Sequence, residues 1–503
     1  MYDAYKDSEL IIGLVAPLGV NINSVENIIR NYIKQFKYDL HTIKLSDIIK
    51  KLPYKRNKVV EDTAYNRIYT LMEAGNELRK NTKNYILTMY AILDIYRKRT
   101  NDQPLKKTAH LIRQFKHPEE VLVLRRVYTH GFFLLGISSS YNNRLQYLNE
   151  ELGIDEDDAK FLMEKDEEET FLYGQHTRDT FYLADGFIDI DAKDANYQFG
   201  RIFDLLFGNP HITPSPDEHA MFLAFASSFR SGDLSRQVGA VISSSEGDII
   251  ATGTNDVPKY GGGLYSTDDP VLVRDIEKGE DSNKIRKKEI VKKIMLKTKG
   301  LNENNITEEE KRKLVDEGEK LLKDTGVLEI TEYGRTVHAE MEALLTCARI
   351  GVSARGGILY CTTFTCHNCA KHIVATGITK VIFVEPYPKS KALDLHDDSI
   401  FYAHDIKKGE DSNKILKKEY HTKEDQNKVI FQPFVGIGYR RYSDLFSMKL
   451  STGLEIKREN DGIKIKWDRN KASLRVTLLP MSYIELESTV LKDWTEFIKG
   501  LDK

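Results

Sequence analysis

His338, Glu340, Cys366 and Cys369 are the residues of this 503-residue chain whose types and spacing suit them to chemistry. They fall in two short stretches, Thr336-Val337-His338-Ala339-Glu340 and Phe364-Thr365-Cys366-His367-Asn368-Cys369. Cys366 and Cys369 are three apart, so on a helix their sulfurs share one face and can grip one ion. His338 supplies a third ligand and leaves a fourth tetrahedral position open, as catalytic Zn2+ sites do. Such an ion brings the pKa of water down to about 7. Glu340, two residues after the histidine, is placed to take the water's proton and pass it on without being a ligand. The competing reading is a closed structural zinc knuckle, which wants four ligands; Cys347 or Cys361 would be the fourth.

These residues need elements to hold them. An apolar helical run follows Glu340, Gly356 to Thr363 reads as a strand, and a second helix starts at Cys366. Thr365 is placed to act as its N-cap. A strand over Thr379 to Glu385 follows. Upstream, Ser215-Pro216-Asp217-Glu218 is a sharp helix start, with an N-cap serine, a first-turn proline and a capping-box glutamate. That helix runs to about Phe229, and a hairpin over Val238–Ser243 and Asp248–Thr252 turns about Glu246-Gly247. From Asp275 to about Lys323 the chain is lysine- and glutamate-rich and reads as an exposed helical insertion. Its start, Asp275 to Ile285, recurs almost unchanged at Asp405 to Ile415. Two copies are too few for a solenoid.

The chain begins differently. Glu9 to Asn21 reads as a buried strand running into a loop with glycine and proline, followed by a helix over about Val25 to Phe36 with Asn23 and Glu26 as a capping box. Strand, glycine loop and helix form the layout of a phosphate-binding loop, here bearing Gly13 and Gly19. Val20 and Asn21 stand where such a loop needs Lys and Ser/Thr, so no ATP hydrolysis is expected. Thr108–Arg113 reads as a strand, Pro118–Tyr128 as a helix and Phe132–Ile137 as a strand. This alternation predicts an α/β domain with a mostly parallel sheet. The acidic run from Asp155 to Glu169 reads as a solvated face. The expected organisation is a first domain over 1–194, a linker over 195–214, a zinc-site domain over 215–450 with the insertion at 275–323, and a hairpin and helix over 451–503.

Composition narrows the classes. Charged residues make up 30% of the chain and the net charge is −2, so no global basic field is present to hold a nucleic-acid polymer. All four cysteines lie between Cys347 and Cys369, which suits a metal site in a reducing compartment. The apolar stretch Leu10–Val20 is too short for a membrane span and follows Asp7 and Glu9. A cytoplasmic protein without a membrane partner is expected.

His338-Ala339-Glu340 with the later Cys366-His367-Asn368-Cys369 resembles the signature of zinc-dependent nucleobase deaminases, with Thr365 in place of that signature's proline. About Asp217 to Leu450 resembles the cytidine/deoxycytidylate deaminase family. Arg236-Gln237-Val238-Gly239-Ala240 and Gly253-Thr254-Asn255 add to the likeness. The whole chain, through Ser231 to Gly239, Gly261 to Tyr265 and Phe434 to Ile437, resembles the bacterial antiviral deoxycytidine-nucleotide deaminases, in which a P-loop-kinase-like domain precedes the deaminase. The resemblance implies an α/β/α sandwich around a mixed sheet, Zn2+ as cofactor and hydrolysis of dCMP or dCTP to the uracil nucleotide. It implies sugar binding by Asn255, contact of Ala339 with the pyrimidine edge, and a defensive role by nucleotide depletion. Arg236 is read as a phosphate ligand or a structural ion-pair arginine. A regulatory nucleotide or an inhibitor is expected at the first domain, and a homo-oligomer is expected. Two other readings remain: a deaminase of RNA or single-stranded DNA, and a nucleotide sensor with structural zinc.

Overall fold

The computed structural model describes residues 7–51, 59–99, 103–169, 171–271, 273–279, 281–323, 325–329, 333–384, 390–403, 428–448, 466–476 and 480–501. The second copy of the repeat, the expected strands of the 451–466 hairpin before residue 466, and part of the expected helix at 389–395 lie outside them. Two compact units divide the chain: Met1–Phe222 with Ile382–Lys503, and Leu223–Val381.

The first unit is built on β1 (Leu10–Val15), β2 (Asp39–Lys44), β3 (Thr108–Arg113), β4 (Phe132–Ser138) and β5 (Gly186–Asp189). They lie side by side in the order β5-β4-β1-β3-β2, all parallel. β1 and β4 are buried along their whole length, as strands covered on both faces must be, hence their unbroken apolar runs. Helix Ile22–Gln35 sets Val25, Ile29 and Ile33 on the sheet. Its N-cap is Asn21, which accepts from the Ser24 amide at 3.0 Å. The expected box does not form: Asn23 and Glu26 both accept from Arg113 instead.

The stretch 195–214, expected as a linker, opens with helix Ala195–Leu206. Phe199, Ile202 and Phe203 of that helix join the core of β1 and β4, and the rings of Phe36 and Phe207 stack at 3.9 Å. The prolines marked only the end of the connection. The acidic run forms helix Glu156–Glu167 with a buried side of Ala159, Leu162, Met163 and Asp166. The late strands β10 (Ile400–Tyr402) and β11 (Val429–Pro433) pair in parallel, and β12 (Gly436–Ile437) pairs antiparallel with β5. The terminal helix, Pro480–Leu501, also belongs to this unit.

In the second unit, β6 (Gly239–Ser243) pairs antiparallel with β7 (Ile249–Thr254) on one side and β8 (Ile358–Cys361) on the other, and the unit ends within β9 (Lys380–Phe383). Helix Ala339–Ile350 packs on β6 and β7. It comes so close that a Cβ on Gly253 would lie 2.1 Å from the Ala339 carbonyl oxygen. Glycine at 253 is thus a requirement of helix-on-strand contact. The insertion is helical as expected: Asp275–Lys278, Ser282–Thr298 and Glu308–Leu321, with a small core of Val291, Met295, Leu296 and Leu314.

Candidate metal centre

Two helix starts aim at one point. His338 is the N-cap residue of helix Ala339–Ile350, and Cys366 is the N-cap of helix His367–Thr376. Cys366 Sγ accepts from the Cys369 amide at 3.4 Å, so the sulfur that reaches for the site also closes its own helix end. Thr365 does not act as the cap. It is fully buried and its hydroxyl has no hydrogen-bond partner among the described residues; with Cys366 as the cap, the helix starts one residue later than expected.

The His338 segment is pinned from upstream. The Val337 amide donates to the Asp256 carbonyl at 2.9 Å, while the Asp256 carboxylate accepts from the amides of Gly232 and Val257, both at 2.8 Å. Asp256 is 2% exposed. Sequence reading missed it, and its place just after the Gly253-Thr254-Asn255 strand end was the signal available.

The donor atoms of His338, Cys366 and Cys369 lie within 4.8 Å of one another. His338 Nδ1 stands 3.2 Å from Cys366 Sγ and 3.3 Å from Cys369 Sγ. One nitrogen and two sulfurs in this arrangement fit Zn2+. Cys347 and Cys361 are buried and lie outside this donor group, so among the described residues the fourth ligand of a closed structural site is not supplied.

The donors perturb one another's protonation. The hydrogen bond from Cys369 leads in drawing the Cys366 thiol down to about 4, with His338 adding to it. Contact with Cys366 lifts His338 to about 9 against the effect of burial. Cys366 is thus favoured as a thiolate, the form in which sulfur binds metal, while the hydrogen bond with Cys366 and burial push the Cys369 thiol well above the usual range, so the donors share protons among themselves. Glu340 is 3% exposed, and burial pushes its carboxyl up, the direction a proton-transfer group needs near neutral pH.

A cavity of about 270 Å³ opens on these groups, lined by Glu340, Cys366, Ala339, Arg236 and Asn255 among others. Asn255 and Arg236 are therefore brought to the site, with other engagements. The Asn255 amide accepts from Val238 N at 2.7 Å and donates to Arg236 O at 2.8 Å, so it braces the segment that enters β6. Asp275, Asp281 and Asn283 line the same cavity. They were read as part of an exposed helical insertion.

The amino-terminal loop is arranged otherwise. Gly13 is not in the loop but inside β1, where a Cβ would come within 2.9 Å of Leu134, Phe115 and Phe132 side chains. Gly19 has φ +93° and rests on the backbone of Arg144. The Leu18 amide, which in a phosphate loop would face an anion, donates to Asp166 Oδ2 at 2.9 Å, and Lys116 Nζ lies 2.6 Å from Asp166 Oδ1. A separate cavity of about 380 Å³ borders this loop and includes Arg113 and Lys116 in its wall.

Residues 214–385 match the family model of the cytidine and deoxycytidylate deaminase zinc-binding region. Over 65 residues the chain is 42% identical to ComE operon protein 2 of Bacillus subtilis (strain 168), covering 13% of this chain and 34% of that protein. Over 55 residues it is 44% identical to the deoxycytidylate deaminase of Enterobacteria phage T2, covering 11% of this chain and 29% of that enzyme. The chain thus spans about a third of the length of the curated relatives it matches. Among solved structures, the apo dCMP deaminase of cyanophage S-TIM5 matches over 44% of this chain and 100% of its own, at 17% identity and a TM-score of 0.22. No helix among the described residues is long and apolar enough to cross a membrane.

Proposed function

We propose that this protein hydrolytically deaminates deoxycytidine nucleotides, dCMP or dCTP, to deoxyuridine nucleotides with Zn2+ as cofactor. The observation that carries this reading is a His338–Cys366–Cys369 donor group with a buried, non-ligating Glu340 beside it, inside the stretch that matches the deaminase zinc-binding region. Held by those donors, Zn2+ would supply the Lewis acidity that makes water a nucleophile near neutral pH. Glu340 accepts the water's proton through its carboxylate, delivers a proton to the ring nitrogen, and then protonates the departing amine. Cytosine plus water gives uracil plus ammonia, and the carboxylate ends as it began. Ala339, at the first turn of its helix, offers its backbone to the pyrimidine edge. Arg236 takes a phosphate, and Asn255 holds the sugar side of the cavity through the strand it braces.

The net charge of −2 favours a free nucleotide over a polymer, since polymer affinity rests on released counterions. Resemblance to the antiviral deaminases supports a cytoplasmic homo-oligomer that depletes deoxycytidine nucleotides during phage infection. The cavity beside the Gly19 loop supports a regulatory nucleotide or inhibitor in the first unit rather than ATP turnover. The test is incubation of the purified, zinc-loaded chain with separate cytosine nucleotides, single-stranded DNA and RNA, following ammonia release. Turnover of dCMP or dCTP is expected. Deamination of a polymer with both free nucleotides untouched would replace this reading with the polymer one.

A further inference from the structure

The segment that opens the charged insertion does more than cover a surface. Asp275 and Asp281 reach the cavity of the metal donors, together with Asp233. Among the described residues lining that cavity, Arg236 is the one lysine or arginine against these three aspartates. Asp275 is 8% exposed, and its cation neighbour, Arg335, is 3.8 Å away, beyond hydrogen-bond distance. The adjacent Arg274 is committed elsewhere, forking onto Glu277 Oε1 at 2.9 and 2.7 Å. Asp281 is held in place as the N-cap of helix Ser282–Thr298, accepting from the Lys284 amide at 3.0 Å. Burial raises the Asp275 carboxyl; the Arg335 charge draws it back only in part, because Asp281 and Asp233 push it up. A substrate tail with extra negative charge meets that same repulsion.

We propose that Asp275 and Asp281 set how many phosphates the substrate carries, admitting a nucleoside monophosphate and disfavouring the triphosphate. This rests on the deaminase reading and sharpens its substrate. One phosphate can be met by Arg236, whereas each further phosphate adds negative charge beside a wall already short of cations. Coulomb repulsion in a half-enclosed site is several times stronger than in bulk water and is screened by salt.

The experiment compares kcat/KM for dCMP and dCTP, without divalent cations other than Zn2+, in the wild-type chain and in Asp275→Asn, Asp281→Asn and the double variant. Asparagine keeps the volume of aspartate and, at 281, the capping oxygen. Zinc content and circular dichroism verify each fold. The wild-type chain should prefer dCMP by about tenfold or more, a ratio worth one like-charge contact at the site. The double variant should raise kcat/KM for dCTP by about tenfold, chiefly through KM, and change dCMP by less than about threefold. The gain should shrink as salt rises. Preference of the wild type for dCTP, or a dCTP/dCMP ratio the variants leave unchanged, overturns the proposal. If the zinc-loaded wild type deaminates neither nucleotide, the deaminase reading itself has failed, a result distinct from an unaltered ratio.

Discussion

Each unit buries a cluster of ionisable side chains, and the two clusters are finished differently. In the first, Arg99 lies between Glu9 and Glu487, all with fully buried side chains. His110 reaches Glu9 at 3.2 Å, Tyr483 donates to Glu9 at 2.6 Å and Tyr128 donates to Glu487 at 2.6 Å. Every carboxylate there has a fixed cation and a hydroxyl. In the second, His338, Cys366, Cys369 and Glu340 converge with no lysine or arginine paired to them among the described residues. Burial and perturbed pKa values mark both. The saturated cluster acts as a clasp, while the one whose donors all face a common point fits a metal ion. Internal charge compensation therefore distinguishes these two clusters where burial does not.

The sharpest way to break that comparison is at the donors. Cys369→Ala removes one of three ligands and should release most of the zinc and all measurable deamination, read by metal analysis and ammonia assay. Zinc fully retained would show that these donors are not the metal's. Glu340→Ala is the next test: zinc and fold should persist while kcat falls by about 10²–10⁴, the usual share of a positioned acid–base group. Near-normal turnover would reduce Glu340 to a structural carboxylate like Glu487.

On the other side, Arg99→Ala strips two buried carboxylates of their cation. It should cost the first unit about 3–5 kcal/mol in denaturant unfolding, with zinc content unchanged. A negligible cost would mean the clasp is ornamental. The smallest effect concerns acid. Burial alone would raise Glu9, but the hydrogen bond with His110, the Arg99 charge and the Tyr483 hydroxyl bring it down to about 2. Its folded value is depressed, so its contribution is complete above the ordinary value of 4.5 and drains away as pH falls through about 2. The contribution is at most about 3 kcal/mol. Glu9→Gln should therefore unfold with a flatter stability profile below pH 4.5 than the wild type, measured by urea midpoints. Parallel profiles would contradict the assignment.

Three strands of the first unit were legible: β1 and β4 read as apolar runs, with Phe132–Ser138 extending one residue further than expected, and Thr108–Arg113 appears where expected; Asp39–Lys44, polar and mostly half-buried or exposed, and the four-residue Gly186–Asp189 were not anticipated. The metal donors were legible because few residue types bind zinc and their spacing is short. What escaped depends on distant partners. Glu9 reads in sequence as a charge before a strand, yet its hydroxyl partner is Tyr483, 474 positions away. Asp275 and Asp281 sit in a lysine- and glutamate-rich stretch, and nothing local distinguishes a carboxylate turned toward a cavity from one turned toward water. Helix starts slipped by a residue or two, at Asn21 and Cys366, because several neighbouring residues could each have served as the cap.

The clasp also orders the protein's birth. Arg99 and Glu487 are 388 residues apart. At translation speeds of about 5–20 residues per second, the arginine leaves the ribosome roughly 20 to 80 seconds before its carboxylate partner exists. The second unit, contiguous from Leu223 to Val381, is complete well before then. All three metal donors are thus synthesised while the earlier-made half still waits for the Glu487 carboxylate. A chaperone would meet that waiting half with Glu9, Arg99 and His110 not yet sealed in.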